Sequence, residues 1–117
     1  MESRITIYQK PTCTTCRRVY TELKARGVPI DSVDYFVEPL SRAKLKDLLR
    51  KMRIRAADLL RTREEIYRKL KLGERSLSED EIVDLMIEHP DLIQRPIVEK
   101  GDRAILARPP ERLREIL

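Results

Sequence analysis

The sequence of 117 residues predicts an α/β fold ordered βαβ, then a helical block, then ββα. Three observations carry that reading. Short apolar stretches with strand periodicity open and close the chain. Residues 41–88 instead show helical spacing almost throughout. The two cysteines, Cys13 and Cys16, form a CxxC motif where the first strand gives way to a helix.

Arg4 to Tyr8 alternates, with Ile5 and Ile7 on one face, and predicts a strand that Pro11 ends. Cys13 to Arg26 predicts a helix with Val19, Leu23 and Ala25 in its apolar set, stopped by Gly27. Ser32 to Tyr35 predicts a second strand, and a strand–helix–strand run of this length implies a right-handed parallel crossover. Ser41 is placed to cap a helix containing Leu45, Leu48 and Leu49. Ala56 to Leu60 and Glu64 to Leu70 predict shorter helices. Ser78 with Glu81 forms a capping box ahead of Ile82, Leu85 and Met86, and Pro90 marks that helix's end. Ile97-Val98, a Lys100-Gly101-Asp102 turn and Ala104 to Ala107 predict a hairpin. Pro109 and Pro110 suit the first turn of a closing helix whose apolar face is Leu113, Ile116 and Leu117. The length suits one domain, 1–117, with the helical block as an insertion at about 41–88 and no internal repeat.

Charged residues make up 38% of the chain, with 25 Lys+Arg against 20 Asp+Glu and a formal net charge of +5. That balance weakly favours anionic partners, and solubility alone explains it equally well. No apolar run approaches the ~20 residues that a membrane helix needs, and MESRITIYQK has no apolar signal core. A cytoplasmic location, no membrane and reduced thiols are therefore expected. The run Arg50, Lys51, Arg53, Arg55, Arg61 and Arg63 could face nucleic acid. With 4% aromatic residues and no DNA-binding motif, it reads as a solvated face, and no direct nucleic-acid contact is expected.

Cys13, at the predicted start of a helix, would meet exposed N–H groups and the positive end of the helix dipole, which stabilise a thiolate. Cys16 would lie one turn along on the same face, as a second thiol able to resolve what the first forms. Arg17 and Arg18 are expected to add positive charge. A zinc site needs four ligands, usually two such cysteine pairs. This chain offers one CxxC and a distant His89, so no metal and no bound cofactor are expected. Inert buried cysteines are the remaining alternative, and redox or nucleophilic thiol chemistry is the favoured one.

The segments ITIYQKPTCTTCR, PLSRAKLKDLL, LLRTRE, SLSEDEIVDLMIEHPDLIQRPIV and ARPPE run over essentially the whole chain. Together they resemble the arsenate reductase/Spx family, specifically its glutaredoxin-coupled, ArsC-like branch. The resemblance implies a thioredoxin-like fold with a helical insertion. In that fold a cis-proline just before the third strand faces the cysteine motif, making Pro96 the candidate, although a trans proline suits a strand start as well. The resemblance further implies Cys13 as nucleophile and three oxyanion-binding arginines: Arg61 in LLRT, Arg95 in RPIV and Arg108 in ARPP. Guanidinium groups suit that role because their planar forks pair with tetrahedral oxyanions. Tyr8, Gln9, Thr12 and Thr15 are secondary hydrogen-bonding candidates.

Two positions depart from the reductase pattern. Cys16 stands where the reductases usually carry serine or another residue, which implies an internal resolving thiol. Gln9 stands where they commonly carry histidine, and glutamine cannot hold a proton charge. Thioredoxin, or glutathione with glutaredoxin, is the implied external reductant. The rival reading is an Spx-like redox regulator that binds the C-terminal domain of the RNA polymerase α subunit. It shares the CxxC but usually lacks the LLRT and RPP arginines.

Overall fold

The computed structural model describes residues 4–117. They divide into two compact units, one built from the chain up to Glu38 together with Arg95–Leu117, the other from Pro39–Gln94.

The first unit is a four-stranded sheet with a helix and a closing turn. Strand β1 (Ile5–Gln9) runs into helix α1 (Thr14–Ala25), and β2 (Ile30–Asp34) returns parallel to β1, pairing Ile5 with Ile30 and Gln9 with Asp34. The second strand thus starts two residues before the sequence expectation, and Tyr35 falls outside it. The helix ends with Arg26 and with Gly27 at φ 71, a left-handed value that glycine adopts without Cβ strain. After the second unit the chain forms two more strands, named here in advance of the intervening helices as β3 (Ile97–Lys100) and β4 (Arg103–Leu106). Both pairings, β1 with β3 and β3 with β4, are antiparallel, giving the order β2-β1-β3-β4. The hairpin turns at Gly101, whose φ is 59.

Strand alternation puts Ile5 and Ile7 on the sheet face that packs with Val19 and Leu23 of α1. Val98, Ile105, Ala107, Leu113 and Ile116 complete this core. Cys16 takes the buried place on the helix stripe that Ala25 was expected to share, while Ala25 is exposed. The closing element is a 3₁₀ stretch, Pro110–Glu115, rather than an α-helix. Leu113 and Ile116 are buried there, and Leu117 is exposed.

The second unit contains α2 (Arg42–Met52), α3 (Ala56–Leu59), α4 (Glu65–Lys69) and α5 (Glu79–Glu88). Their ends are fixed by local chemistry. Ser41 Oγ accepts the Lys44 N–H at 3.0 Å. Glu79 Oε2 accepts the Ala56 N–H at 2.8 Å, and so α5's first residue caps α3. Ser78 and Glu81 exchange bonds of 3.1 and 2.8 Å, which is the capping box read from the sequence. Arg42 and Lys46 on α2 pair with Asp80 and Asp84 on α5. Leu45, Leu48, Leu59, Ile82, Val83, Met86 and Leu92 are buried.

Candidate active site

The sheet unit holds both thiols. Cys13 is the N-cap of α1, and its Sγ accepts the N–H of Cys16 at 3.3 Å. This is the position where orphan N–H groups and the helix dipole favour a negative atom. The loop before it is closed by a Cys13 N–H bond to the Lys10 carbonyl at 2.9 Å. Both cysteines are free thiols, Cys13 partly exposed and Cys16 at 0% exposure.

Their environments drive the two thiols apart. Burial pushes the Cys13 thiol up, but hydrogen bonds from the Cys16 side chain and backbone, with the charges of Arg95 and Arg108, outweigh it. The net result holds Cys13 below its ordinary value. The Cys16 thiol is pushed up to about 12, first by burial and then by the hydrogen bond and charge of Cys13. The backbone N–H of Lys10 and the charge of Arg95 pull the other way. One exposed sulfur is therefore predisposed to be a thiolate and its buried neighbour to stay protonated.

The arginines that act on Cys13 come from the far end of the chain, in place of the adjacent pair expected from the sequence. Arg17 is exposed, and Arg18 pairs with Glu111 at 3.3 Å. Arg95 is 6% exposed, and Arg108 donates through Nη1 to the Arg95 carbonyl at 3.3 Å. The Arg95–Pro96 peptide bond is cis, as is Arg108–Pro109. The Pro96 carbonyl accepts the Ala107 N–H at 3.0 Å.

Around Arg95 lie two aromatic side chains that the sequence reading did not single out. Tyr35 is hydrogen-bonded to Arg95, and the Phe36 ring centroid lies 5.6 Å from the guanidinium carbon. The Nζ of Lys10 sits 4.5 Å from the same centroid. The chain has only five aromatics, four Tyr and one Phe, and two of them are adjacent here. That adjacency was the one available signal.

Among the secondary candidates, Gln9 is buried and donates through Nε2 to Ser32 Oγ at 2.7 Å, while its Oε1 has no hydrogen-bond partner among the described residues. Tyr8 donates to Glu99 Oε1 at 2.6 Å in a buried pair. Thr12 is exposed and Thr15 half-buried. Arg61 belongs to the helical unit, where its Nε pairs with Glu64 at 3.0 Å. Among the described residues no cluster of three or more His, Cys, Asp or Glu could hold a metal ion. His89 Nε2 lies 3.7 Å from Glu88. No helix among them is long and apolar enough to cross a membrane.

The ArsC family model matches residues 8–116. The chain belongs to the ArsC family. It is 36% identical over 118 residues to the uncharacterized protein YfgD of Escherichia coli K12, covering all of this chain and 99% of that one. It is 37% identical over 115 residues to an arsenate reductase of E. coli, covering 98% of this chain and 82% of the reductase. Among solved structures, an arsenate reductase from Vibrio cholerae superposes with a TM-score of 0.94 at 34% identity, and each chain is covered completely. The α/β fold, thioredoxin-like with its helical block, is thus that of ArsC proteins. In this ArsC chain the dithiol of α1 and two of the three arginines named by the resemblance lie within one unit.

Proposed function

We propose that this ArsC-family protein is a thiol oxidoreductase acting on arsenate or a similar tetrahedral oxyanion, with Cys13 as nucleophile and Cys16 as resolving thiol. One observation carries the reading: a partly exposed cysteine caps a helix, under the charges of two arginines, against a protonated buried thiol.

The Cys13 thiolate attacks As(V), forming an S–As bond as one arsenate oxygen departs as water with the protons it takes up. Arg95 and Arg108 neutralise the remaining oxygens, and Arg61 is assigned as the third cation by its LLRT motif. The Cys16 sulfur then attacks the Cys13 sulfur. An S–S bond forms, the S–As bonding pair stays on arsenic, arsenite leaves, and the Cys16 proton passes to solvent. The two electrons gained by arsenic are those lost by the two thiols. Thioredoxin, or glutathione with glutaredoxin, returns them from outside.

The timing follows from the site. Two of the influences that keep Cys16 protonated are its hydrogen bond to Cys13 and the Cys13 charge. Both disappear once Cys13 carries arsenic. The Lys10 N–H and Arg95 remain, and both favour a Cys16 thiolate. Burial, the largest influence, still holds the Cys16 thiol up, so the first step eases its ionisation by lifting only the two influences that come from Cys13. Residues 1–117 count as one functional domain in this reading, and the reduced cytoplasm suits the free dithiol.

Arsenate-dependent NADPH consumption tests it, coupled separately to thioredoxin with its reductase and to glutathione with glutaredoxin. Turnover with thioredoxin that is lost in Cys13→Ser and in Cys16→Ser is the expected result. Full activity of Cys13→Ser would refute the assignment. The Spx-like alternative draws on the CxxC itself. It predicts redox-dependent capture of the RNA polymerase α C-terminal domain, and absence of capture in both redox states removes it.

A further inference from the structure

We propose that Tyr35 is a positioning residue for Arg95: its hydroxyl, together with the ring of Phe36, holds the guanidinium where it acts on the Cys13 sulfur. This deepens, and rests on, the reading of Cys13 as the nucleophile.

The argument begins at the end of β2. Asp34 closes that strand in register with Gln9, whose own strand leads into the cysteine loop. The Asp34 carbonyl accepts the N–H groups of Val37 and Glu38 at 3.0 and 2.8 Å, and its Oδ1 accepts the Phe36 N–H at 3.0 Å. Such a self-bonded aspartate turn fixes the backbone that follows a strand. Tyr35 and Phe36 are therefore presented from a pinned turn rather than a loose loop. Their rings stack with centroids 5.0 Å apart and an interplanar angle of 28°.

Arginine needs such help. Its side chain has about 2 kcal/mol of rotamer entropy to lose, and a buried guanidinium must find partners for five N–H groups. Arg95 is 6% exposed and Tyr35 is 1% exposed, so each supplies a partner the other requires. The Phe36 face adds a cation–π contact at 5.6 Å from Arg95 and another at 4.5 Å from Lys10. A phenylalanine at position 35 would fill the same apolar volume, so packing alone gives no reason for the hydroxyl. Its hydrogen bond to Arg95 does.

The test is the pH profile of Cys13 alkylation by iodoacetamide in the reduced full-length protein. The other ionisable groups that bear on that sulfur are Cys16 on its own stretch, and Arg95 and Arg108 from the other end of the chain; Lys10, Arg17 and Arg18 are the remaining charged residues of that stretch, Arg18 being engaged with Glu111. Tyr35→Phe is expected to move the profile to higher pH, with the rate on its acid limb falling about threefold to tenfold, the worth of one hydrogen bond. Arg95→Ala should shift it at least as far, and Tyr35→Phe added to Arg95→Ala should shift it no further. With arsenate, Tyr35→Phe should raise KM, since Arg95 also holds the anion. A Tyr35→Phe profile identical to wild type, beside a shifted Arg95→Ala profile, overturns the proposal and leaves the nucleophile assignment standing. If Arg95→Ala does not shift the profile either, the role of Arg95 toward Cys13 fails at its root. Should Tyr35→Phe lose its cooperative unfolding transition, Phe36→Leu removes the ring at similar volume. The same upward movement is expected of it, and an unmoved profile counts against the clamp.

Discussion

Cys16 has two separable duties, and a pair of substitutions divides them. As a donor, it hydrogen-bonds the Cys13 sulfur through its side chain as well as its backbone N–H. As a nucleophile, it resolves the product in the function proposed above. Cys16→Ala removes the side-chain donor and keeps the backbone one, whereas Cys16→Ser keeps a donor and removes the nucleophile. A hydrogen bond to a charged group contributes about 1.5–3 kcal/mol to the charged form when fully buried. Cys13 is partly exposed, so solvent replaces part of that loss, and about 1.4 kcal/mol is the working figure. That corresponds to about a tenfold lower alkylation rate for Cys16→Ala on the acid limb of both profiles. Cys16→Ser should stay within about twofold of wild type, the bond to oxygen being at least as strong. Both should lose steady-state turnover with thioredoxin. The assay is iodoacetamide alkylation across pH, checked against the ultraviolet absorbance of the thiolate. Identical profiles for Cys16→Ala, Cys16→Ser and wild type would show that the Cys16 side chain does not tune Cys13 and would refute this reasoning.

Stability should depend on pH through the same pair. Cys13 is held below its ordinary value of 9.0, so the stability it contributes is present above that value and is lost as pH falls through the folded-state one. Cys16 is raised to about 12, so its contribution is present below 9.0 and lost as pH rises toward 12, at up to about 1.4 kcal/mol per pH unit. Urea unfolding of the reduced protein across that alkaline window should therefore show a decline that Cys16→Ser flattens. Leu23→Ala, at a fully buried position packed against β1, should cost about 2–5 kcal/mol in the same assay, and a cost under 1 would mean the site collapses around the gap. Ser78→Ala removes the Oγ that accepts the Glu81 N–H at 3.1 Å and should cost about 1 kcal/mol, with an unchanged thermal midpoint showing that the box is dispensable.

What could be read from the sequence was what local chemistry decides. Ser41, Ser78 with Glu81, Gly27 and Gly101 act within a few residues of themselves, so the ends of α1, α2 and α5 and the hairpin turn stood out. Cys13 as a helix cap was visible for the same reason. Errors arose where distance in space departs from distance in sequence. Arg17 and Arg18 neighbour Cys16 along the chain, yet one is exposed and the other is engaged with Glu111, while Arg95 and Arg108 act on Cys13. Only the family resemblance pointed to those two. The start of β2 at Ile30 was missed because its pairing is set across the sheet: Ile30 lies opposite Ile5, and the Pro29 carbonyl accepts the Ile5 N–H at 3.0 Å. The aromatic pair at 35–36 could be noticed by its adjacency, but its partner could not, because nothing in a residue's identity says which distant arginine it will touch.

The sheet unit is discontinuous in the chain: its cysteines precede Pro39–Gln94 and its arginines follow. A chain synthesised only as far as Gln94 therefore carries both thiols without the Arg95 and Arg108 guanidinium groups. The charge of Arg95 and Arg108 reaches Cys13 only when the last fifth of the sequence takes its place in the sheet unit. That part of the tuning of Cys13 is, in that sense, a certificate of completed folding.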